Sequence, residues 1–115
     1  MAVVVVPVTL HDSGLVIMET TLNNYNATLW DLVVPTGVLM SWTRAAVSNR
    51  ISPDGATWVD IFARYNSGTY NNAWIVVNYN NFTPFFPLSP GTLYMIEQLP
   101  GFTQAADMTG MRPAC

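Results

Sequence analysis

The sequence predicts an α+β fold with two helices packed on a mainly antiparallel sheet, and three observations carry that expectation. A strand-like run precedes two helix-like segments, and further strand-like runs follow them. The hydrophobic period changes after Tyr65 from helical to extended. The later strands are joined by Asn-, Pro- and Gly-rich connections that suit hairpins. Helices segregated from strands in this way place the helices on one face of a sheet.

Residues 15–22, Leu-Val-Ile-Met-Glu-Thr-Thr-Leu, are rich in strand formers and read as a buried strand. Asn23-Asn24-Tyr25-Asn26 reads as a turn, and Leu29–Leu32 as a helical turn ended near Pro35. Val38, Leu39, Trp42, Ala45 and Ala46 recur at helix spacing, which predicts a helix from Thr36 to about Arg50. Ser52 then offers an N-cap, Pro53 a first helical residue and Asp54 a charge that complements the helix dipole. Trp58, Ile61, Phe62 and Tyr65 form the apolar stripe of this second helix, and Asp60 and Arg64 form a surface pair four residues apart. A polar segment from Asn66 to Asn72 feeds a buried strand at 73–79. A proline-rich loop from Asn81 to Gly91 leads to a third strand at 92–98, and after Pro100-Gly101 a further short strand is expected at 102–108. With three or four strands, an edge would be left unpaired.

Composition narrows the function. Only 10% of the 115 residues are charged, against about 25% in an average domain. Four Arg and no Lys cannot neutralise many phosphates, which argues against nucleic acid as partner. Four Trp, five Tyr and five Phe argue against disorder, and one cysteine excludes a disulfide scaffold. No charge occurs between Arg64 and Glu97, yet the Asn and Pro residues in that stretch break any membrane span. The sparse charge fits either a well-buried domain that uses Asn and Ser as its polar groups or a piece of a larger protein whose apolar faces expect neighbours, and the second reading is favoured. The Val3–Val6 run is short, proline-broken and lacks a positive flank, so no convincing signal peptide is read from it.

Few chemistries fit the side chains. His11 is the only histidine, no G-x-S-x-G elbow occurs, and no zinc set can be built from His11 and Cys115. No phosphate loop or dinucleotide fingerprint is present. Glu19 and Glu97 fall in apolar strands, where pairing with Arg44 or Arg50 is the expected solution. The richest segment is Arg64–Trp74, which concentrates hydroxyls, carboxamides and a glycine where a helix gives way to a strand. Its Asn side chains could donate to a developing oxyanion, or could simply close an Asx-rich turn on its own backbone. Asn26-Ala27-Thr28 and Asn81-Phe82-Thr83 are glycosylation acceptors by pattern.

The run Arg64-Tyr65-Asn66-Ser67-Gly68-Thr69-Tyr70-Asn71-Asn72-Ala73-Trp74 resembles the F-N-S-G-T-Y-N-N-Q-W stretch of the phospholipase B-like family. Leu15–Thr21 resembles its V-x-E-T-T strand, Ser48-Asn49-Arg50-Ile51 its A-N-R-L helix end, and Gly91–Gly101 its L-x-x-L-E-Q-I-P-G strand and turn, with Asp107-Met108-Thr109 following in order. The resemblance covers residues 13–110 and leaves 1–12 and 111–115 unmatched. It implies a fragment of a layered αββα fold related to N-terminal-nucleophile hydrolases. It implies lysosomal or secreted glycoproteins that act on phospholipid or other acyl substrates without a cofactor or metal. In such a fold the nucleophile is a cysteine exposed by cleavage, whose own amino group serves as base. Cys115 cannot fill that role, because its amino group is locked in a peptide bond. No nucleophile is therefore expected in the chain, and the remainder of a parent hydrolase becomes its expected partner. The resemblance points to Asn71 and Asn72 as oxyanion or substrate-positioning residues, supported by Asn66, Thr69, Arg50 and Arg64. The competing expectation is a non-catalytic glycoprotein, or a lipid- or partner-binding product of a truncated gene.

Overall fold

The computed structural model describes residues 8–111. Five strands form one sheet: β1 (Val8–Leu10), β2 (Leu15–Thr21), β3 (Asn72–Asn78), β4 (Leu93–Leu99) and β5 (Phe102–Asp107). They lie in chain order, each antiparallel to its neighbour. Helices α1 (Ser41–Ile51) and α2 (Gly55–Ala63) are inserted between β2 and β3. The α+β expectation holds, with one strand more than the sequence suggests. β1 was missed because three residues are too few to show a period.

Alternation along the strands divides the sheet into two faces. Leu15 and Ile17 on β2, Trp74 and Val76 on β3, and Tyr94 and Ile96 on β4 meet the helices. Trp58 and Phe62 of α2 are fully buried against them. The Trp58 and Phe62 rings stack at 4.7 Å, and Phe62 meets Trp74 at 4.8 Å. The intervening residues Val16, Met18, Ile75, Val77, Leu93 and Met95 belong to the opposite face and are half-buried.

Helix α2 follows its pattern, but it starts later than expected. Asp54, not Ser52, is the N-cap, and its Oδ1 accepts from the Thr57 N–H at 2.7 Å. Pro53 therefore precedes the helix, and Ser52 instead ends α1, donating its backbone N–H to Ser48 O. The Asp60–Arg64 pair forms as expected. Tyr65 falls outside the expected stripe: it is exposed, with a positive φ of 57°.

Helix α1 overturns its pattern. It begins at Ser41 rather than Thr36, because the Leu39 N–H is taken by Tyr65 O at 2.8 Å and Leu39 bridges Asn66 in extended conformation. Its buried residues are Ser41, Arg44 and Ser48, while Trp42 is 70% exposed and Val47 and Ile51 also face outward. Of the apolar positions that suggested the helix, Val38 and Leu39 precede it, Trp42 and Ala46 face outward, and Ala45 packs against the core. The inner side is otherwise polar, with the Arg44 cation buried between two serines.

Trp58→Ala is expected to cost about 3–5 kcal/mol of stability in denaturant unfolding, as for other buried aromatics. Trp42→Ala should stay within about 0.5 kcal/mol, as an exposed position does. Equal losses at both would contradict the inverted orientation of α1.

Candidate functional site

Adjacent antiparallel strands bring chain ends together, so β2 leaves the sheet at Thr21 where β3 enters at Asn72. The β4–β5 turn at Pro100-Gly101 falls at the same end. Segment 66–71 therefore sits over one end of the sheet, beside residues 32–40. Gly68 takes a φ of +79°, and a Cβ there would lie 2.9 Å from Val33 Cγ2, so both backbone shape and space call for glycine. Two bulky residues with positive φ, Tyr65 (57°) and Tyr70 (52°), bracket the turn. Such residues are outliers in that region and need surrounding structure to hold them.

That structure centres on Arg44, which is 2% exposed. Its Nε donates to Leu39 O at 3.2 Å, and Nη1 donates to Phe62 O at 2.6 Å and to Gln98 Oε1 at 3.0 Å. Nη2 donates to Asn66 Oδ1 at 3.1 Å. The guanidinium also lies 4.4 Å over the Phe62 ring. Among the described residues no carboxylate pairs with it, the ion pair found being Asp60–Arg64. Burial lowers the Arg44 guanidinium to about 10, which keeps it charged at physiological pH. Gln98 is in turn fixed by donating to Thr103 Oγ1 at 3.2 Å.

The turn itself is closed by its own side chains. Asn66 Oδ1 also accepts from the Gly68 N–H at 3.1 Å, and Ser67 Oγ lies 2.8 Å from Thr69 Oγ1. The Asx-turn expectation is thus met, and Asn66 links it to the interior. Thr69 and Tyr70 line a cavity of about 430 Å³ with Met40, Ser41 and Trp42. Thr69 also lines a second, of about 420 Å³, with Ser67, Val33, Val34, Val38 and Met40.

The two central Asn candidates differ. Asn72 is buried and committed: its Nδ2 donates to Glu19 Oε2 at 2.7 Å, and its Oδ1 receives the Leu22 N–H. Both polar atoms of the Asn71 carboxamide are buried too, yet neither has a hydrogen-bond partner among the described residues. Arg64 is exposed and pairs with Asp60 beside a cavity of about 400 Å³ between the outer sides of α1 and α2. Arg50 is exposed on the last turn of α1, near His11 and Asn49 in another shallow cavity. Neither arginine is brought to the 66–72 turn by any hydrogen bond among the described residues.

Glu19 and Glu97 do not pair with arginine. Glu19 takes Asn72, one strand away on the same face, and Glu97 is exposed on the other face. Arg44 is held by four neutral acceptors instead. Asn26 is exposed and caps the short 3₁₀ helix Ala27–Leu32, its Oδ1 accepting from Thr28 N and Thr28 Oγ1. Asn81 is half-buried in a second 3₁₀ turn. At the far end of the sheet, Asp107 accepts from Thr109 Oγ1, Thr109 N and Gly91 N. The Thr109 hydroxyl foremost holds its carboxyl below the usual range. Among the described residues no cluster of His, Cys, Asp and Glu could hold a metal, and no helix is long and apolar enough to cross a membrane. The Val3–Val6 run and Cys115 lie outside the described residues.

Comparison with known proteins gives the arrangement a family. The family model described as Phospholipase B matches residues 8–112, so the chain belongs to the phospholipase B family. It is 52% identical over 99 residues to the human protein named "Putative phospholipase B-like 2", covering 84% of this chain and 17% of that protein. It is 48% identical over 100 residues to "Phospholipase B-like protein D" of Dictyostelium discoideum, covering 87% of this chain and 17% of that one. The chain thus spans about one sixth of the length of these curated relatives.

Asn72→Ala removes the bonded partner of a carboxylate that is 2% exposed. It should cost about 2–3 kcal/mol in denaturant unfolding, because a buried charged acceptor is left unpaired. Asn72→Asp should cost more, since it sets two carboxylates against each other. A neutral result for Asn72→Ala would show that Glu19 has another partner.

Proposed function

We propose that this chain is one segment of a hydrolase that cleaves acyl bonds, with the Asn71 carboxamide donating to the developing oxyanion. The observation that carries this reading is that carboxamide, buried and without a hydrogen-bond partner among the described residues. A buried donor without a partner is unusual, and one held rigidly beside a reacting carbonyl stabilises charge without reorganisation. Asn72 then acts from behind, keeping β3 and Glu19 in register. Thr69 and Tyr70, next to Asn71, line a cavity whose Met40 and Trp42 suit an acyl chain. Phospholipid esters are the substrate class that the family name suggests. On this reading the attacking cysteine belongs to the remainder of the parent protein, since the amino group of Cys115 is tied up in a peptide bond and cannot act as its base.

The remainder of the parent hydrolase also covers the second face of the sheet. Support for this comes from the apolar residues Val16, Met18, Ile75, Val77, Leu93 and Met95 on that face. A second sheet packed there would complete four layers, helices outside and sheets within. A lysosomal or extracellular site of action follows from the same family reading.

In a parent protein that carries a processed cysteine, Asn71→Ala should lower turnover of an acyl ester by roughly 10²–10³-fold, the usual loss for one oxyanion donor. The fold should survive, because the amide removed bonds to nothing among the described residues. Unchanged turnover would remove the assignment. Ester cleavage by the 115 residues alone would remove the idea of an outside nucleophile.

A further inference from the structure

A reactive carboxamide is useful only if its backbone is held still, and the segment that carries Asn71 has little to hold it. Residues 66–71 form no ladder of their own, and positive φ values at Tyr65 and Tyr70 strain both ends. Asn66 is the residue that anchors it. Its Oδ1 accepts from Gly68 N inside the turn and from Arg44 Nη2 outside it, while its Nδ2 reaches Leu99 O at 3.4 Å.

We infer that Arg44 is a positioning residue, whose guanidinium fixes the 66–69 turn through Asn66 and so sets where Tyr70 and Asn71 sit. This rests on the reading of Asn71 given above. Arg44 suits the task because its fork ties four separate pieces of chain at once. Leu39 O belongs to the entry of α1, Phe62 O to the end of α2, Asn66 to the turn and Gln98 to β4. A planar fork with five donors can do this, and a lysine ammonium with three cannot. Keeping the acceptors neutral matters as well. A carboxylate at position 66 would pair more strongly with the guanidinium, but would lose the amide that reaches Leu99 O. Arg44 lines the cavity between α1 and α2 but neither cavity at the turn, so its reach to the Asn71 segment runs through Asn66.

Hydrogen exchange in the full-length protein tests this, read at the amides of Gly68 and Thr69 against those of Val76 and Ile96. In Asn66→Ala, exchange at Gly68 and Thr69 should rise about tenfold or more, since a lost bond to a charged group is worth at least that factor. Val76 and Ile96 should not change. Arg44→Lys should open the same amides, and the double variant should open them no further than either single, the mark of one shared contact. Both variants should lower kcat for ester hydrolysis with KM nearly unchanged. Turn exchange within twofold of wild type in Asn66→Ala overturns the inference. So does Arg44→Lys that loosens Val76 and Ile96 as much as the turn. Should Arg44→Lys not fold, Arg44→Gln decides by the same exchange and kcat-against-KM readouts, because Asn66→Ala also removes the acceptor of the Gly68 amide itself. An open turn with unchanged turnover in Asn71→Ala would sink the oxyanion assignment, whereas lost turnover there with a closed turn in Asn66→Ala would sink only the positioning role.

Discussion

A guanidinium charge buried with neutral acceptors alone is the constraint on which the rest of this structure depends. Removing such a charge from water costs several kcal/mol even after relaxation. Four hydrogen bonds from Arg44, each worth about 1.5–3 kcal/mol when one partner is charged, can offset that cost. The Phe62 face adds a further contact. To supply the acceptors, the carbonyls of Leu39 and Phe62 and the side chains of Asn66 and Gln98 must converge. That convergence fixes the approach of α1 to the sheet and the exit of α2. It also fixes the path of the turn between α2 and β3. On α1 itself the inner face carries Ser41 and Ser48 beside Arg44 and not a stripe of aliphatic residues, although none of the four acceptors is a serine.

Topology makes the consequence functional. Because β2 and β3 are adjacent and antiparallel, the long insertion between them starts and ends at one edge of the sheet. The β4–β5 turn joins it there, with Gly101 at a φ of +69° and packed so closely on Leu32 that a side chain would collide. The positive-φ residues Tyr65, Gly68, Tyr70 and Gly101 are therefore gathered at this end of the sheet. A carboxamide there can be held in place without bonding to the protein, which is the condition a transition-state donor needs. The outer side of α1 and the second face of the sheet both carry apolar residues, on a chain that spans about one sixth of its relatives' length.

Much of the fold was legible because the strands obey alternation and α2 obeys its helical period. Leu15–Thr21, Leu93–Leu99 and Trp58-Phe62 are where pattern and burial agree. Helix α1 was located but turned the wrong way. Hydrophobic spacing assumes that a core is apolar, and here a buried cation claims the inner face. The same cation was invisible as a site residue, because its partners at 39, 62, 66 and 98 are far apart in sequence and mostly main-chain or amide oxygens. A lone Arg facing two serines at helical spacing is the signal that could have revealed it. The 66–72 segment was legible from its composition and its family likeness. The difference between Asn71 and Asn72 was not, since only register shows that Asn72 reaches Glu19.

The most direct measurement is the ¹⁵N spectrum of the arginine guanidinium groups. Arg44 should show separate Nη resonances, with slow rotation about the Nε–Cζ and Cζ–Nη bonds and slow proton exchange, because both Nη atoms are held by fixed acceptors. Arg50, exposed on its helix, should show rapidly averaged ones. An Arg44 signal averaged like that of Arg50 would mean that the guanidinium is not clamped, and the organisation of the site would need another cause.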